Sequence, residues 1–511
     1  VNTTGRVYRA PEKDYPFFGA FFIKRGEIME RRLRVVVIGA GIVGALIARE
    51  FTKYACDVCL LEQEIEAGWG VTKANSAIVH GGYDDEPATI RAKFCAQGNQ
   101  MYDSLSKELN IDFQRTGSYV LAFSDEDILH LEGLLTQAKT NGVIGCRIDR
   151  RDEVLTRQPK LNKMMKAAFW CPSAGITEPW MIAMAAVESM QLNGGRFFPG
   201  NPVIGVDVDH KGAVRGVRTS QEFFHADIVV NASGLYADRI TQMVGLDPLL
   251  LYPRKGEYIL LDKKMGSIVS AVIFPVPTKQ SKGILVVPTV DGGVLLGPTA
   301  EDLDQRCIED TSTTRIGLER IKSLVHRLVP DIDESQTVKT FAGLRPETPL
   351  KDFVVGPTEI KGFFQAAAMR SPGLTSAPAI AKYMATEAVQ EGIGIQLTSN
   401  PHFRPNVPKY IRTSEQSLTQ WDELVAKDPR YGKMICVCNK ITEGEIRDAI
   451  IRGARTVDGI KFRTRAGFGH CQGGFCLPKV VELLQRYGHI PMDQLTLRGK
   501  ASALLSSEVR T

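Results

Sequence analysis

The residues Val35-Val36-Val37-Ile38 form an unbroken apolar run, apolar positions then recur at Val43, Leu46, Ile47 and Phe51, and a second run ends at Leu61. An uninterrupted run predicts a strand buried on both faces, and the i, i+3, i+4 spacing predicts a helix with one apolar face. Residues 34–62 therefore read as strand, helix, strand. A second strand-then-turn signal lies far downstream at residues 226–234, and amphipathic helical stretches fall between at 125–140 and 179–191. From 258 to 297 the pattern changes to short runs at 258–261, 270–274, 284–287 and 293–296, each predicting a strand. The α/β signal returns at 362–368. A β-rich block set between two α/β parts predicts a second layer interleaved with the first.

Beyond residue 395 the periodicity fades. Residues 396–412 carry three prolines and predict a linker, extending to 430. A compact unit at 431–490 and a tail at 491–511 follow. Residues 1–28 read as a separate extension. Arg25-Gly26-Glu27 can be encoded by a purine-rich stretch resembling a bacterial ribosome-binding site just before Met29, so residues 1–28 read either as translated upstream sequence or as a genuine short extension.

Composition narrows the function classes. The 511 residues suffice for a large core and more than one domain. Against 63 basic residues stand 58 acidic ones, for a formal charge of +5, and no dense basic block points to nucleic acid. No apolar stretch approaches the roughly 20 residues that cross a bilayer. Four of the ten cysteines cluster near one end, and the other six read as buried thiols in a reducing cytoplasm. Peripheral association with the inner face of the cell membrane is compatible with this, as is an oligomer.

Gly39-Ala40-Gly41-Ile42-Val43-Gly44 follows the first strand directly. Gly39 permits the tight turn, Gly41 lets a pyrophosphate approach the backbone, and Gly44 lets helix and strand pack closely. Glu62 ends the second strand, where its carboxylate can accept from ribose hydroxyls and disfavours a 2′-phosphate. The motif alone leaves FAD and NAD open. Thr72, Asn75 and Ser76, after the second strand, can hydrogen-bond phosphate and ribitol oxygens.

Several ordered motifs then carry a resemblance. Ala74-Asn75-Ser76-Ala77-Ile78-Val79-His80, Val276-Pro277-Thr278, Ser281-Lys282-Gly283, Leu296-Gly297-Pro298-Thr299-Ala300, Phe341-Ala342-Gly343-Leu344-Arg345-Pro346 and Ser371-Pro372-Gly373-Leu374-Thr375-Ser376-Ala377-Pro378 are similar to those of glycine-oxidase-like FAD oxidoreductases. The chain resembles in particular the type II FAD-dependent glycerol-3-phosphate dehydrogenases and alpha-glycerophosphate oxidases, over about residues 33–390. The resemblance implies FAD, with Gly234, Gly343 and the segment Ser371, Pro372, Gly373, Leu374, Thr375 joining the cofactor site. It also implies His80 as the base that takes the hydroxyl proton, Arg345 as the substrate arginine, and Lys282 as a loop lysine near the substrate phosphate. Histidine suits proton abstraction near neutral pH, and arginine binds phosphate or carboxylate through paired hydrogen bonds.

Cys436-x-Cys438 and Cys471-x4-Cys476 supply four thiolates, the count for a [2Fe–2S] cluster or a structural zinc. Thr442 with Glu445 three residues on is a helix-start signature, and helices are predicted through 446–451 and 477–487. The segment resembles the bacterioferritin-associated-ferredoxin-like [2Fe–2S] domain, with four residues between the second pair of cysteines where the founding type has two.

The expected architecture is α/β: a Rossmann-type FAD-binding domain with an interleaved β-rich substrate domain over 29–395, plus a small C-terminal helical [2Fe–2S] domain. The expected activity is oxidation of sn-glycerol 3-phosphate to dihydroxyacetone phosphate, with electrons leaving through the cluster to a partner subunit or quinone. L-2-hydroxyglutarate, or another 2-hydroxy or amino acid, is the alternative substrate. A flavin-containing partner for iron release is the alternative outside enzymes.

Overall fold

The computed structural model describes residues 32–277, 283–499 and 501–505. The extension at 1–28 and Lys282 lie outside the described residues. The first apolar run forms the strand Leu33–Ile38, which pairs in parallel with Cys56–Leu61 on one side and Ile228–Asn231 on the other. The full sheet has six strands. Arg196–Phe198 adds to Cys56–Leu61, Phe363–Ala367 adds to Ile228–Asn231, and Val354–Pro357 closes that edge as the one antiparallel member. Val35 to Ile38 lie in register with Ile228 to Asn231, so the turns after both strands open at the same end of the sheet. In a parallel sheet that carboxyl end is where a nucleotide binds.

The helix Ile42–Phe51 differs from its amphipathic reading, because every one of its residues is buried. Helices Ile90–Leu109, Pro179–Leu192 and Gly373–Tyr383 pack around it. The polar face survives burial because Arg49 is paired, its guanidinium donating to Ser189 Oγ at 3.0 Å and meeting Glu108 at 2.5 Å. A buried charge without such partners would be strongly destabilising.

The second layer is a nine-stranded sheet built chiefly from the predicted β-rich block. The strand Tyr252–Leu261 begins earlier than its apolar run, because it pairs along its length with Thr337–Glu347, and Arg254 faces Arg345 in that register. Ser118–Ala122 and Ala167–Cys171 extend the sheet on the far side. The helix Arg315–Leu328 covers one face through Ile321, Val325 and Leu328.

Residues 396–412 form a strap against the first layer. Thr398 O accepts from Ala55 N at 2.8 Å, Val407 N donates to Glu108 O at 2.8 Å, and Arg412 pairs with Asp112 at 2.6 Å. The C-terminal unit holds a small hairpin, Met434–Cys436 with Ile441–Thr442, and the helices Glu443–Ile451, Val457–Thr464 and Leu477–Gly488. Thr442 and Glu445 form a reciprocal capping box that starts the first of these helices. The unit packs on the first layer through the rings of Trp69, Trp180 and Phe462 and through Arg452 with Glu188 at 2.7 Å.

Candidate active site and cysteine centre

A cavity of about 1470 Å³ opens at the carboxyl end of the parallel sheet and continues beneath the second layer. Gly39 has a φ of +100°, and a methyl group there would come within 2.6 Å of Ala232 O. At Gly41 a methyl would meet Thr72 Oγ1 at 3.2 Å. That hydroxyl accepts from Ile42 N at 3.1 Å, at the start of the buried helix. Backbone N–H groups and the helix dipole make this an anion site.

Glu62 stands at the edge of the same cavity and accepts from Ala40 N at 2.6 Å and Glu64 N at 3.0 Å. Burial pushes its pKa up to about 7, against the opposing effect of those N–H groups. A carboxylate has further lone pairs for ribose hydroxyls. The glycine cradle and this acid fit the adenosine diphosphate part of FAD.

Asn75 is already committed. Its amide donates to Val71 O and Thr72 O, both at 2.9 Å, and its carbonyl accepts from Ala77 N at 2.7 Å. These bonds shape the loop and leave one lone pair of the Asn75 carbonyl free. Ser76 Oγ lies 3.4 Å from the Tyr258 hydroxyl. A side chain at Gly343 would overlap the Ala74 carbonyl, so only glycine lets the strand Thr337–Glu347 cross this loop. Gly234 has a φ of +62° and borders the cavity with open space around its Cα.

His80 follows the short strand Ile78–Val79 and is fixed at its backbone, its N–H donating to Thr375 Oγ1 at 2.8 Å and its carbonyl accepting from Asn99 at 2.8 Å. Its Nε2 lies 3.3 Å from Ser371 Oγ. Ser371 and Pro372 lead into the helix Gly373–Tyr383, and Leu374 O accepts from the Tyr102 hydroxyl at 2.6 Å. Thus His80, Ser371 and the helix start converge on one wall of the cavity.

Arg345 lines the opposite β-rich wall. Its Nη2 donates to Thr299 O at 2.9 Å, while its buried Nε has no acceptor among the described residues. Two further arginines on the cavity wall were not singled out from the sequence. Arg254 pairs with Asp302 at 2.9 Å, and Arg370 pairs with Glu347 at 3.0 Å while its own Nε is buried without an acceptor. Burial lowers the Arg370 pKa, and Arg91, Arg254 and Arg345 add to this against the pull of Glu347. Arg370 directly precedes Ser371, an adjacency that could have flagged it. Arg254 could be found only through its pairing with Arg345.

The four clustered cysteines are free thiols on neighbouring loops. Cys438 Sγ and Cys471 Sγ lie 3.5 Å apart, and Cys476, at the start of the helix Leu477–Gly488, is close enough to Cys436 to feel its charge. Burial, followed by that neighbour, pushes the Cys476 thiol up to about 11. Burial also opposes ionisation of Cys471, but the Cys438 thiol and the N–H groups of Gly473, Phe475 and Gly474 outweigh it and bring its pKa below the usual value. Among the described residues no group of three or more His, Cys, Asp or Glu forms a metal cage. The thiols stand instead as two pairs, a donor set that fits the two irons of a [2Fe–2S] cluster.

The two centres share structure. Phe468, three residues before Cys471, and Arg465 both line the cavity, and Asn439, next to Cys438, donates to Arg465 O at 2.8 Å. Arg465 lies over the rings of Trp180 and Phe468, at 5.2 and 4.9 Å from their centroids.

Residues 34–387 match the family described as FAD dependent oxidoreductase, and residues 434–486 match the BFD-like [2Fe-2S] binding domain. A glycerol 3-phosphate dehydrogenase of Caloramator mitchellensis is 41% identical, with 93% of this chain and 99% of that protein covered. A glycerol 3-phosphate oxidase of Mycoplasma genitalium is 27% identical over 72% of this chain and 97% of its own. The FAD-bound L-alpha-glycerophosphate oxidase structure from Mycoplasma pneumoniae superposes with a TM-score of 0.67 at 24% identity, covering 74% of this chain and 100% of that one, which shows the shared fold.

Proposed function

The chain belongs to the FAD-dependent oxidoreductases and carries a [2Fe–2S] domain, and we propose that its substrate is sn-glycerol 3-phosphate, oxidised to dihydroxyacetone phosphate. The observation that carries this reading is the convergence of His80, Ser371 and the arginines 345 and 370 on the cavity that begins at the glycine cradle. The 41% identity to a glycerol 3-phosphate dehydrogenase supports the choice of substrate.

When bound, FAD supplies a two-electron acceptor and the [2Fe–2S] cluster a one-electron carrier. The residues of the chain bind, orient and deprotonate. His80 Nε2 takes the proton of the C2 hydroxyl, and the Ser371 hydroxyl beside it steadies the imidazole. Arg345 and Arg370, whose Nε atoms have no acceptor among the described residues, hold the phosphate through their guanidinium groups. Lys282, outside the described residues, is the further candidate for that phosphate. Gly39, Gly41, Gly44, Glu62, Thr72 and the start of the helix Gly373–Tyr383 hold the cofactor, and Cys436, Cys438, Cys471 and Cys476 hold the cluster.

Electrons leave through the C-terminal domain to a partner subunit or quinone. The support is that Arg465 and Phe468 border the cavity and belong to the loops that carry the cysteines. No helix of the described residues is long and apolar enough to cross a membrane.

Anaerobic mixing with glycerol 3-phosphate should bleach the flavin absorbance at least tenfold faster than mixing with L-2-hydroxyglutarate or glycine. Faster bleaching by L-2-hydroxyglutarate would move the assignment to that substrate, with His80 and the arginines in the same roles. Absence of bleaching by every candidate, with capture of an iron-storage partner, would favour the reading as an iron-release protein.

A further inference from the structure

The wall of the cavity that faces the C-terminal domain is cationic. Lys73 and Lys339 approach from the oxidoreductase body, and Lys461 and Arg498 from the C-terminal side. Lys73 Nζ lies 3.9 Å from the centre of the Trp69 ring, and the Trp69 indole N–H donates to Arg498 O at 2.8 Å, so one ring joins both sides of the seam. Lys461 Nζ sits 5.1 Å from the Phe468 ring centre and 3.4 Å from Gln472 Oε1, beside Cys471. Among the described residues only Arg498 of the four has a carboxylate within ion-pair distance, Asp458 at 3.4 Å.

Four cations facing the two carboxylates Asp458 and Glu64 across a partly dry seam leave an excess of positive charge. Burial brings the pKa of Lys73 and of Lys461 down to about 8, with Arg498 and Lys339 adding to the repulsion, Asp458 opposing it at both and Glu64 opposing it at Lys73. A multiply charged anion relieves both burdens, because it pairs the charges and replaces the water they have lost. Lys73 adjoins Thr72, whose hydroxyl receives the N–H at the start of the dinucleotide helix. The cationic wall and the glycine cradle therefore belong to one continuous cavity.

We propose that Lys73, Lys339, Lys461 and Arg498 form a phosphate-binding clamp that the C-terminal domain completes. The domain is then part of the binding site as well as an electron outlet. Phosphate chemistry has two sources here, the diphosphate of FAD and a free phosphate or phosphate ester. The inference rests on the family's FAD binding and not on the identity of the oxidised substrate, so it stands or falls separately from the reading above.

The test uses the full chain with Lys461→Met and Arg498→Met combined, beside the charge-preserving pair Lys461→Arg and Arg498→Lys. FAD affinity of the apoprotein is followed by quenching of flavin fluorescence, and binding of inorganic phosphate to the FAD-loaded protein by calorimetry. The expected result is FAD affinity weakened tenfold or more by the methionine pair and retained within threefold by the charge-preserving pair. Unchanged FAD affinity, with phosphate heat present in the parent and lost in the methionine pair, assigns the clamp to a free phosphate. Equal weakening in both pairs, or no change in either titration, overturns the proposal.

Discussion

Glu66 and Arg463 form an ion pair across the boundary between the oxidoreductase body and the C-terminal domain, with the Glu66 side chain fully buried and that of Arg463 only 6% exposed. Glu66 Oε1 also accepts from Arg455 N and Thr456 N at 3.0 Å and from Thr456 Oγ1 at 2.7 Å. One carboxylate thus organises the start of the helix Val457–Thr464 from the other side of the seam, and Gly459 leaves it room.

Removing that carboxylate leaves the buried charge of Arg463 without its ion-pair partner, held by neutral groups such as Gly459 O. Glu66→Ala should destabilise the docked arrangement by about 3–5 kcal/mol, the usual loss when one member of a buried pair is deleted. Denaturant unfolding should show the C-terminal domain melting before the body, and a single coincident transition of unchanged midpoint would refute the coupling.

His80→Ala should slow substrate reduction of the flavin by about 10²–10⁴, the range for loss of a general base. Its FAD affinity should change less than threefold, because the histidine holds the loop through its backbone and not its ring. Normal bleaching kinetics would remove the base from His80.

Arg370→Met removes a guanidinium whose Nε has no partner among the described residues but whose other end pairs with Glu347. Loss of a charge-assisted phosphate contact of about 1.5–3 kcal/mol predicts KM raised roughly 10- to 150-fold. A kcat that falls with KM unchanged would instead assign Arg370 to the transition state alone.

The carboxyl of Glu62 has a pKa raised to about 7 by burial, above the ordinary value of 4.5. In the apoprotein its contribution to stability is full below about 4.5 and is lost as pH rises through about 7. Ribose hydroxyls donate to the ionised form, so FAD binding releases its proton. FAD affinity should therefore tighten as pH rises through about 7, and Glu62→Gln should flatten the profile. Parent and variant profiles of equal slope would exclude Glu62 as the source.

Cys438→Ser should abolish the visible absorption of the cluster and its iron content while substrate still bleaches the flavin. Turnover with a one-electron acceptor should fall at least tenfold. Retained turnover would show that electrons leave the flavin directly.

Four strands of the first sheet were legible from their apolar residues and from Gly39 directly after the first of them, whereas Arg196–Phe198 and Val354–Pro357 are too short to carry a signal of their own. The cysteine domain was legible because thiol spacing and the Thr442–Glu445 cap are both local patterns. Arg254 was not, because its place opposite Arg345 depends on strands paired across almost a hundred residues, and Arg370 lies in the loop between the strand Phe363–Ala367 and the helix Gly373–Tyr383, where no periodicity marks it. Asn75 suits cofactor oxygens by residue type, and the loop takes both of its N–H donors and one lone pair of its carbonyl, which leaves one acceptor position. Glu66 gave no signal at all. It is one acid in a polar loop, and its partners lie nearly four hundred positions away.

Because the strand that carries Arg345 must slide past the carbonyl of Ala74 at Gly343, the guanidinium proposed to grip the reactant and the loop proposed to line the cofactor pocket are gauged against each other by a single missing side chain. Any bulk introduced at that crossing would shift both together, and would be felt at once in the colour of the enzyme and in its choice of reactant.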